Sequence, residues 1–115
     1  MASDTIFDKI VARKMPATVV FENDAVLAFR DVNPVAPVHV LVIPKKKSQC
    51  FSDFTGLNAE EVGQFFRGVA LAAKSLGLDG PGYRVVLNNG DHGGQSVDYL
   101  HAHILGGRPL TWPPG

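Results

Sequence analysis

Cys50 is the only cysteine among 115 residues. An internal disulfide and a four-cysteine zinc site are both excluded. The residues around Cys50 offer no paired base to draw off its proton, so it reads as a plain thiol. No run approaches the roughly 18 apolar residues that a membrane-spanning helix needs. The first eleven residues mix Asp4, Asp8 and Lys9 among their apolar positions and lack a secretory core. Net charge is missing too, because eleven basic residues balance eleven acidic ones. A nucleic-acid-binding chain carries a basic excess or stripe. Here the only basic cluster is Lys45-Lys46-Lys47, for which a solvated turn is the first reading and a phosphate contact the second. These absences point to a reducing intracellular setting, cytoplasmic or nuclear, with neither nucleic acid nor membrane as partner.

What is present suits one domain spanning residues 1–115. Hydrophobic residues make up 45% of the chain and charged ones 19%, enough apolar material for one core and too much for a wholly disordered chain. Ser3 or Asp4 can cap a short helix carrying Ile6, Phe7, Ile10 and Val11 at helical spacing, ended by Pro16. Two β-prone runs follow, residues 17–22 and 25–30, with Glu22-Asn23-Asp24 as the hairpin turn between them. Asn33, Pro34 and Pro37 punctuate a loop before a third strand, 39–43, stopped by Pro44. Asn58 with Glu61 makes a start resembling a capping box for a helix that reaches Leu76. Its Val62, Phe65, Phe66, Val69 and Ala73 form one broad apolar stripe. Gly77, Gly80, Pro81 and Gly82 stop it. A fourth strand occupies 83–88, and the loop 89–95 leads into a fifth, 96–105. Successive strands on short turns favour an α+β fold, an antiparallel sheet with its helices on one face.

The fifth strand carries the chemistry. Alternation puts Tyr99, His101 and His103 on one face and Leu100, Ala102 and Ile104 on the other. The second set packs into the core. The first places two imidazoles about 7 Å apart along the strand. Three readings of that pair stand side by side. The histidines are incidental polar residues on a solvent face, or they ligate a metal with His39 or Asp31 completing the set, or one is a nucleophile and the other its electrostatic helper. The preceding Gly93-Gly94-Gln95-Ser96 favours a phosphate site. Its small residues let backbone N–H groups face an anion, and Ser96 adds a hydroxyl donor.

At these residues the chain closely resembles the histidine triad nucleotide-binding proteins, in their nucleoside phosphoramidase branch. The resemblance runs from Thr5-Ile6-Phe7 to Trp112-Pro113-Pro114-Gly115. It is most specific at Leu27-Ala28-Phe29-Arg30-Asp31, His39-Val40-Leu41-Val42-Ile43-Pro44-Lys45-Lys46, Gly93-Gly94-Gln95-Ser96-Val97 and His101-Ala102-His103-Ile104-Leu105-Gly106-Gly107-Arg108. It implies a five-stranded antiparallel sheet with one long and one short helix, dimerising through the long helix into a ten-stranded sheet. It also implies cleavage of a purine nucleoside phosphoramidate, of AMP or GMP type, to the nucleoside monophosphate and an amine. His101 then matches the nucleophile, with a nucleotidyl-imidazole intermediate. Neutral imidazole is nucleophilic near pH 7, and its phosphoramidate is reactive enough to turn over.

By the same resemblance Asn88, Gly94, Gln95, Ser96, the Val97 amide and His103 surround the phosphate, with Ser96 and His103 counted as catalytic. Asp31 holds the ribose hydroxyls, although by itself it also suits the start of a turn before Asn33-Pro34. Ile6, Phe7, Phe29, Val32 and Leu41 line the purine slot, His39 stands at the site's edge, and the C-terminus shapes the opening. No cofactor and no metal are implied. One residue departs from the pattern: Tyr99 stands where the family's triad has histidine. A phenol stays neutral at pH 7, but the family orients its nucleophile with the backbone carbonyl of that position, which any residue supplies. Two other functions stay open, a dinucleoside polyphosphate hydrolase and a nucleotide-binding scaffold with little catalysis. The Trp-Pro-Pro-Gly ending and Ser96 argue against the first; Tyr99 keeps the second alive.

Overall fold

The computed structural model describes residues 4–115. Helix α1 spans Ile6–Val11 and α2 spans Ala59–Ser75; a one-turn α3 covers Gly90–Gly93 and a 3-10 helix covers Phe51–Gly56. The strands are β1 (Val19–Glu22), β2 (Val26–Arg30), β3 (Val38–Pro44), β4 (Arg84–Leu87) and β5 (Ala102–Gly106). They form one antiparallel sheet in the order β1-β2-β3-β5-β4. The α+β class and the five-stranded sheet are as read from the sequence. The 3-10 helix and α3 are additional to the one long and one short helix expected. No helix among the described residues is long and apolar enough to cross a membrane.

Strand parity builds two cores. Val26 and Ala28 of β2, Val40 and Val42 of β3, and Ala102 and Ile104 of β5 all face α2, where Phe65, Val69, Ala72 and Ala73 meet them. Leu27, Phe29, Leu41 and Ile43 take the opposite face and pack with Phe7 and Ile10 of α1 and with Tyr99. The helices therefore cover both faces of the sheet, not one as the sequence suggested. Phe7 and Ile10 of the short α1 are enough to close the second core.

Local chemistry explains the element ends. Thr5, rather than Asp4, caps α1: its hydroxyl accepts from the Asp8 amide, while the Asp8 carboxylate accepts from the Thr5 amide at 2.7 Å. The alternative cap, Ser3, lies outside the described residues. The helix closes at Val11, before Pro16, and Arg13 takes a left-handed conformation with φ of 61° in the turn that follows. Asn58 caps α2 by accepting from the Glu61 amide at 2.8 Å; the Glu61 carboxylate turns instead to Lys46, so only half of a capping box forms. Of the expected stripe, Phe65 and Val69 are buried in the monomer, while Phe66 is 39% exposed.

The fifth strand is shorter than the 96–105 expected. Its last pairs are Val42↔Ala102 with β3 and Leu87↔Ala102 with β4. Upstream of Ala102 β4 ends at Leu87, while β3 runs on to Pro44 paired with β2 alone, so residues 96–101 lie outside the ladder. Alternation persists nonetheless, with Tyr99 in the α1 core and Leu100 in the α2 core.

The lysine run is neither a free turn nor an obvious anion site. Lys45 pairs with Glu22 at 2.7 Å, Lys46 with Glu61 at 3.1 Å and Lys47 with Asp8 at 2.9 Å. Each reaches a different element. Lys46 remains largely in solvent, so that pair contributes little to stability.

Gly68 marks the closest approach of α2 to the sheet, where an added Cβ would stand 2.6 Å from both Val26 methyls. Val26 is fully buried and β-branched, so it has no rotamer of escape. Overpacking of this kind costs about 1–3 kcal/mol, more than the 0.5–1 kcal/mol that alanine gains over glycine in a helix. Gly68→Ala is thus expected to lower stability, with urea unfolding showing an earlier midpoint and an unchanged slope.

Candidate active site

The site lies on the α1 face, at the end of the sheet where β3 and β5 meet. His39 and Leu41 of β3 stand opposite Leu105 and His103 of β5, and Phe29 of β2 stands opposite Leu41. A cavity of about 780 Å³ opens there. The expected slot residues Ile6, Phe7, Phe29, Val32 and Leu41 line it, as do Asp31, His39, Ser96, Val97, His101 and His103. Phe7 forms one wall, edge-on to Phe29 at 5.5 Å and to His101 at 5.0 Å between ring centres.

Three expected residues are not in the lining. Gln95 is occupied by its own loop: its Nε2 donates to the Gln49 and Val97 carbonyls at 2.6 and 3.0 Å, and its Oε1 accepts from the Gly90 amide. Gly94 ends α3 with φ of 80°, a left-handed cap that favours glycine. Asn88 follows β4, half-buried outside the cavity lining. The Gly-Gly-Gln stretch thus braces and turns the loop, and it is Ser96 and Val97 that reach the cavity. Among the described residues neither the Ser96 hydroxyl nor the Val97 amide has a hydrogen-bond partner.

Sequence reasoning missed Met15, Pro16, Ala17 and Thr18, which also line the cavity. They arrive because β1 pairs with β2, and the Arg30 amide bonds the Thr18 carbonyl at 3.0 Å. No local pattern signals this, since the hairpin register places them.

The hydrogen bonds fix where the imidazole protons sit. His101 Nδ1 lies 2.7 Å from the Tyr99 carbonyl oxygen. A carbonyl can only accept, so Nδ1 carries the proton and Nε2 the lone pair. No buried side-chain nitrogen or oxygen among the described residues lacks a partner. His101 Nε2 has none, so it is open to the cavity even though the residue is only 5% exposed. His39, which is buried, accepts from the Val35 amide at Nδ1 (3.1 Å) and so holds its proton on Nε2. That Nε2–H points to His103 Nδ1 at 2.9 Å, with Asp31 Oδ2 at 3.3 Å. His103 is left with its own proton on Nε2. A lone pair on His101 and a donor on His103 result, with the two rings leaning together to 5.0 Å.

Burial keeps both imidazoles neutral. Desolvation lowers the His101 pKa below its ordinary 6.5 against the pull of the Tyr99 carbonyl and Asp31. For His103 desolvation acts with the neighbouring His101 and His39 to push it down to about 4. Asp31 serves in part as a turn former, its Oδ1 accepting from the Asn33 amide at 2.8 Å, while Oδ2 remains toward His39 and the cavity.

Fold and site together define a two-faced antiparallel sheet domain that holds two neutral imidazoles in an apolar cleft. The chain belongs to the HIT domain family, whose model matches residues 12–110. It is 49% identical over 119 residues to an adenylylsulfatase from Arabidopsis thaliana, covering 98% of this chain and 78% of that one. A 14 kDa zinc-binding protein from Zea mays is 50% identical over 119 residues, covering 98% and 89%. Among solved structures, a HIT family hydrolase from Legionella pneumophila superposes with a TM-score of 0.88 at 43% identity, covering 97% of this chain and 100% of that one.

The depressed His103 has a consequence for stability. Its folded pKa, about 4, lies below the 6.5 of the unfolded chain, so falling pH protonates the unfolded state first. The contribution is whole above about pH 6.5 and is lost progressively toward pH 4. Urea midpoints measured across that window are expected to fall more steeply for the natural protein than for His103→Asn.

Proposed function

We propose that this protein is a purine nucleoside phosphoramidase working through a nucleotidyl-His101 intermediate. The observation that carries this reading is the Tyr99 carbonyl bond, which leaves the His101 Nε2 lone pair facing an apolar cleft of nucleotide size. The neutral Nε2 attacks phosphorus and the P–N bond breaks, the departing nitrogen taking a proton from solvent. As the His101 ring gains positive charge, its Nδ1–H bond to the carbonyl strengthens, so this contact favours the transition state over the ground state. The His103 Nε2–H, the Ser96 hydroxyl and the Val97 amide supply neutral donors for the phosphoryl oxygens. Water then displaces His101 and frees the nucleoside monophosphate. Phe7, Phe29 and Leu41 hold the base, with Asp31 at the ribose.

The Arabidopsis relative suggests a second substrate, adenylyl sulfate, which would pass through the same intermediate with sulfate as leaving group. The maize relative raises zinc. Asp31, His39 and His103 bring one ligand atom each within 4.8 Å. This donor set does not fit the ion. His39 Nδ1 is held as an acceptor by Val35, so its proton occupies the Nε2 that would have to bind the metal. The 2.9 Å between His39 Nε2 and His103 Nδ1 is a hydrogen-bond distance, shorter than the roughly 3.3 Å between two nitrogens on tetrahedral zinc with bonds near 2.0–2.1 Å.

A homodimer belongs to the same reading. β4 is an open edge of the sheet, and Val85, opposite Ile104 on the α2 side, is 41% exposed. Phe65 and Val69 are committed to the monomer core, so the exposed Phe66 and Leu71 of α2 and the β4 edge are offered to a partner copy. Val85→Glu is therefore expected to give a folded monomer where sedimentation shows the natural chain as a dimer.

His101→Ala is expected to abolish turnover of adenosine 5′-phosphoramidate while AMP binding, measured by calorimetry, stays within a few-fold. Ser96→Ala should lose up to about a hundredfold in rate, the effect of one charge-stabilising donor. Mass spectrometry of acid-labile adducts, with the phosphoramidate and adenylyl sulfate compared side by side, checks the intermediate. Substantial hydrolysis by His101→Ala would refute the covalent route, and binding without turnover by the natural protein would establish the scaffold.

A further inference from the structure

Tyr99 stands beside the site without entering it. Its side chain is 1% exposed and absent from the cavity wall, and the ring packs edge-on to Phe7 at 6.2 Å. The Lys47 ammonium lies over the ring, 5.5 Å from its centre. The phenol donates to the Pro44 carbonyl oxygen at the end of β3, 2.5 Å away. One residue later, the Leu100 amide donates to the Ser48 carbonyl at 2.7 Å. Residues 99 and 100 have no strand partner, so these two bonds replace the ladder that would otherwise hold the backbone leading to His101.

We propose that Tyr99 is a positioning residue for His101, its phenol anchored to Pro44 so that its own carbonyl stays fixed against His101 Nδ1. The inference rests on the reading of His101 Nε2 as nucleophile. A neutral imidazole can carry its proton on either nitrogen, and only a fixed acceptor at Nδ1 keeps the lone pair on Nε2. Packing alone does not supply that fixity. The ring could be phenylalanine and still fill the space between Phe7 and Lys47, but a phenylalanine would leave the 99 backbone free to shift about the single remaining bond at Leu100. Burial, with Asp8 adding to it, raises the phenol pKa to about 12, so the anchor keeps its proton at any ordinary assay pH. This chain thus uses the position that is histidine in the family's triad as a long-reach tether to the neighbouring strand.

The test compares the natural protein with Tyr99→Phe and Tyr99→His, whose imidazole is too short to span to Pro44. Long-range proton–nitrogen spectra of the 15N-labelled imidazoles report the His101 tautomer without any substrate. Single-turnover kinetics with adenosine 5′-phosphoramidate report nucleotidylation, and calorimetry reports AMP affinity. The natural protein is expected to show His101 protonated at Nδ1 alone. Both variants should show mixed tautomers and a rate loss of about three- to tenfold, the effect of one hydrogen bond, at unchanged AMP affinity. A variant with the natural tautomer and rate, and only a lower Tm, overturns the proposal. So does a natural protein whose His101 is protonated at Nε2, a result that requires no variant to fold. If the natural protein turns over no phosphoramidate, the proposed function fails while the spectra still judge Tyr99.

Discussion

A β-residue must send its side chain to one face of the sheet or the other, and in β2, β3 and β5 that parity divides stability from chemistry. Even-numbered positions from Val26 to Ile104 build the larger core under α2. Odd-numbered positions become Phe29, His39, Leu41 and His103, a surface that is apolar at one end and nitrogen-bearing at the other. A one-residue slip in β3 would turn His39 toward the α2 core and Val40 and Val42 away from it, and a slip in β5 would do the same to His103 and Ile104. The fully packed face makes such a slip costly, and so the polar face inherits a precision it could not enforce by itself.

That parity was the most legible feature of the sequence. Whereas the places of Phe29 and Asp31 came from the resemblance, parity identified His101 and His103 as neighbours and Leu100, Ala102 and Ile104 as core. It held even at Tyr99 and Leu100, where the strand itself has ended. Capping was less legible, because Asp4 and Thr5 are both competent caps and only the reciprocal bond with Asp8 chooses between them. Least legible was anything decided by pairing between distant segments. Met15 to Thr18 reach the cleft through a hairpin register. Gln95 is drawn away from it by the carbonyl of Gln49, forty-six residues earlier in the chain. Which face α1 covers depends on whether Phe7 and Ile10 find Leu27 and Ile43, a question no local pattern answers.

The neutral character of the site follows from the same architecture. Lys45, Lys46 and Lys47 are committed to Glu22, Glu61 and Asp8, so they brace the bend after β3 instead of the cavity. While Arg30 brings a guanidinium to the lining from the end of β2, the donors beside His101 are imidazole, hydroxyl and amide. Such donors hold charge by geometry rather than by attraction at a distance, which is why the fixing of each proton position by Tyr99, Val35 and His39 matters so much here.

The bend at residues 44–48 receives α1, β1 and α2 through its lysines, and through the Pro44 and Ser48 carbonyls it carries the backbone of residues 99 and 100. In the language of native-state opening, these segments form one cooperative unit. The Leu100 amide cannot meet solvent unless the bend yields, and a yielding bend also loosens its ties to α1 and β1. Deuterium uptake at Leu100 would therefore follow a large sub-global opening rather than the fraying typical of a loop, although residues 96–101 belong to no strand.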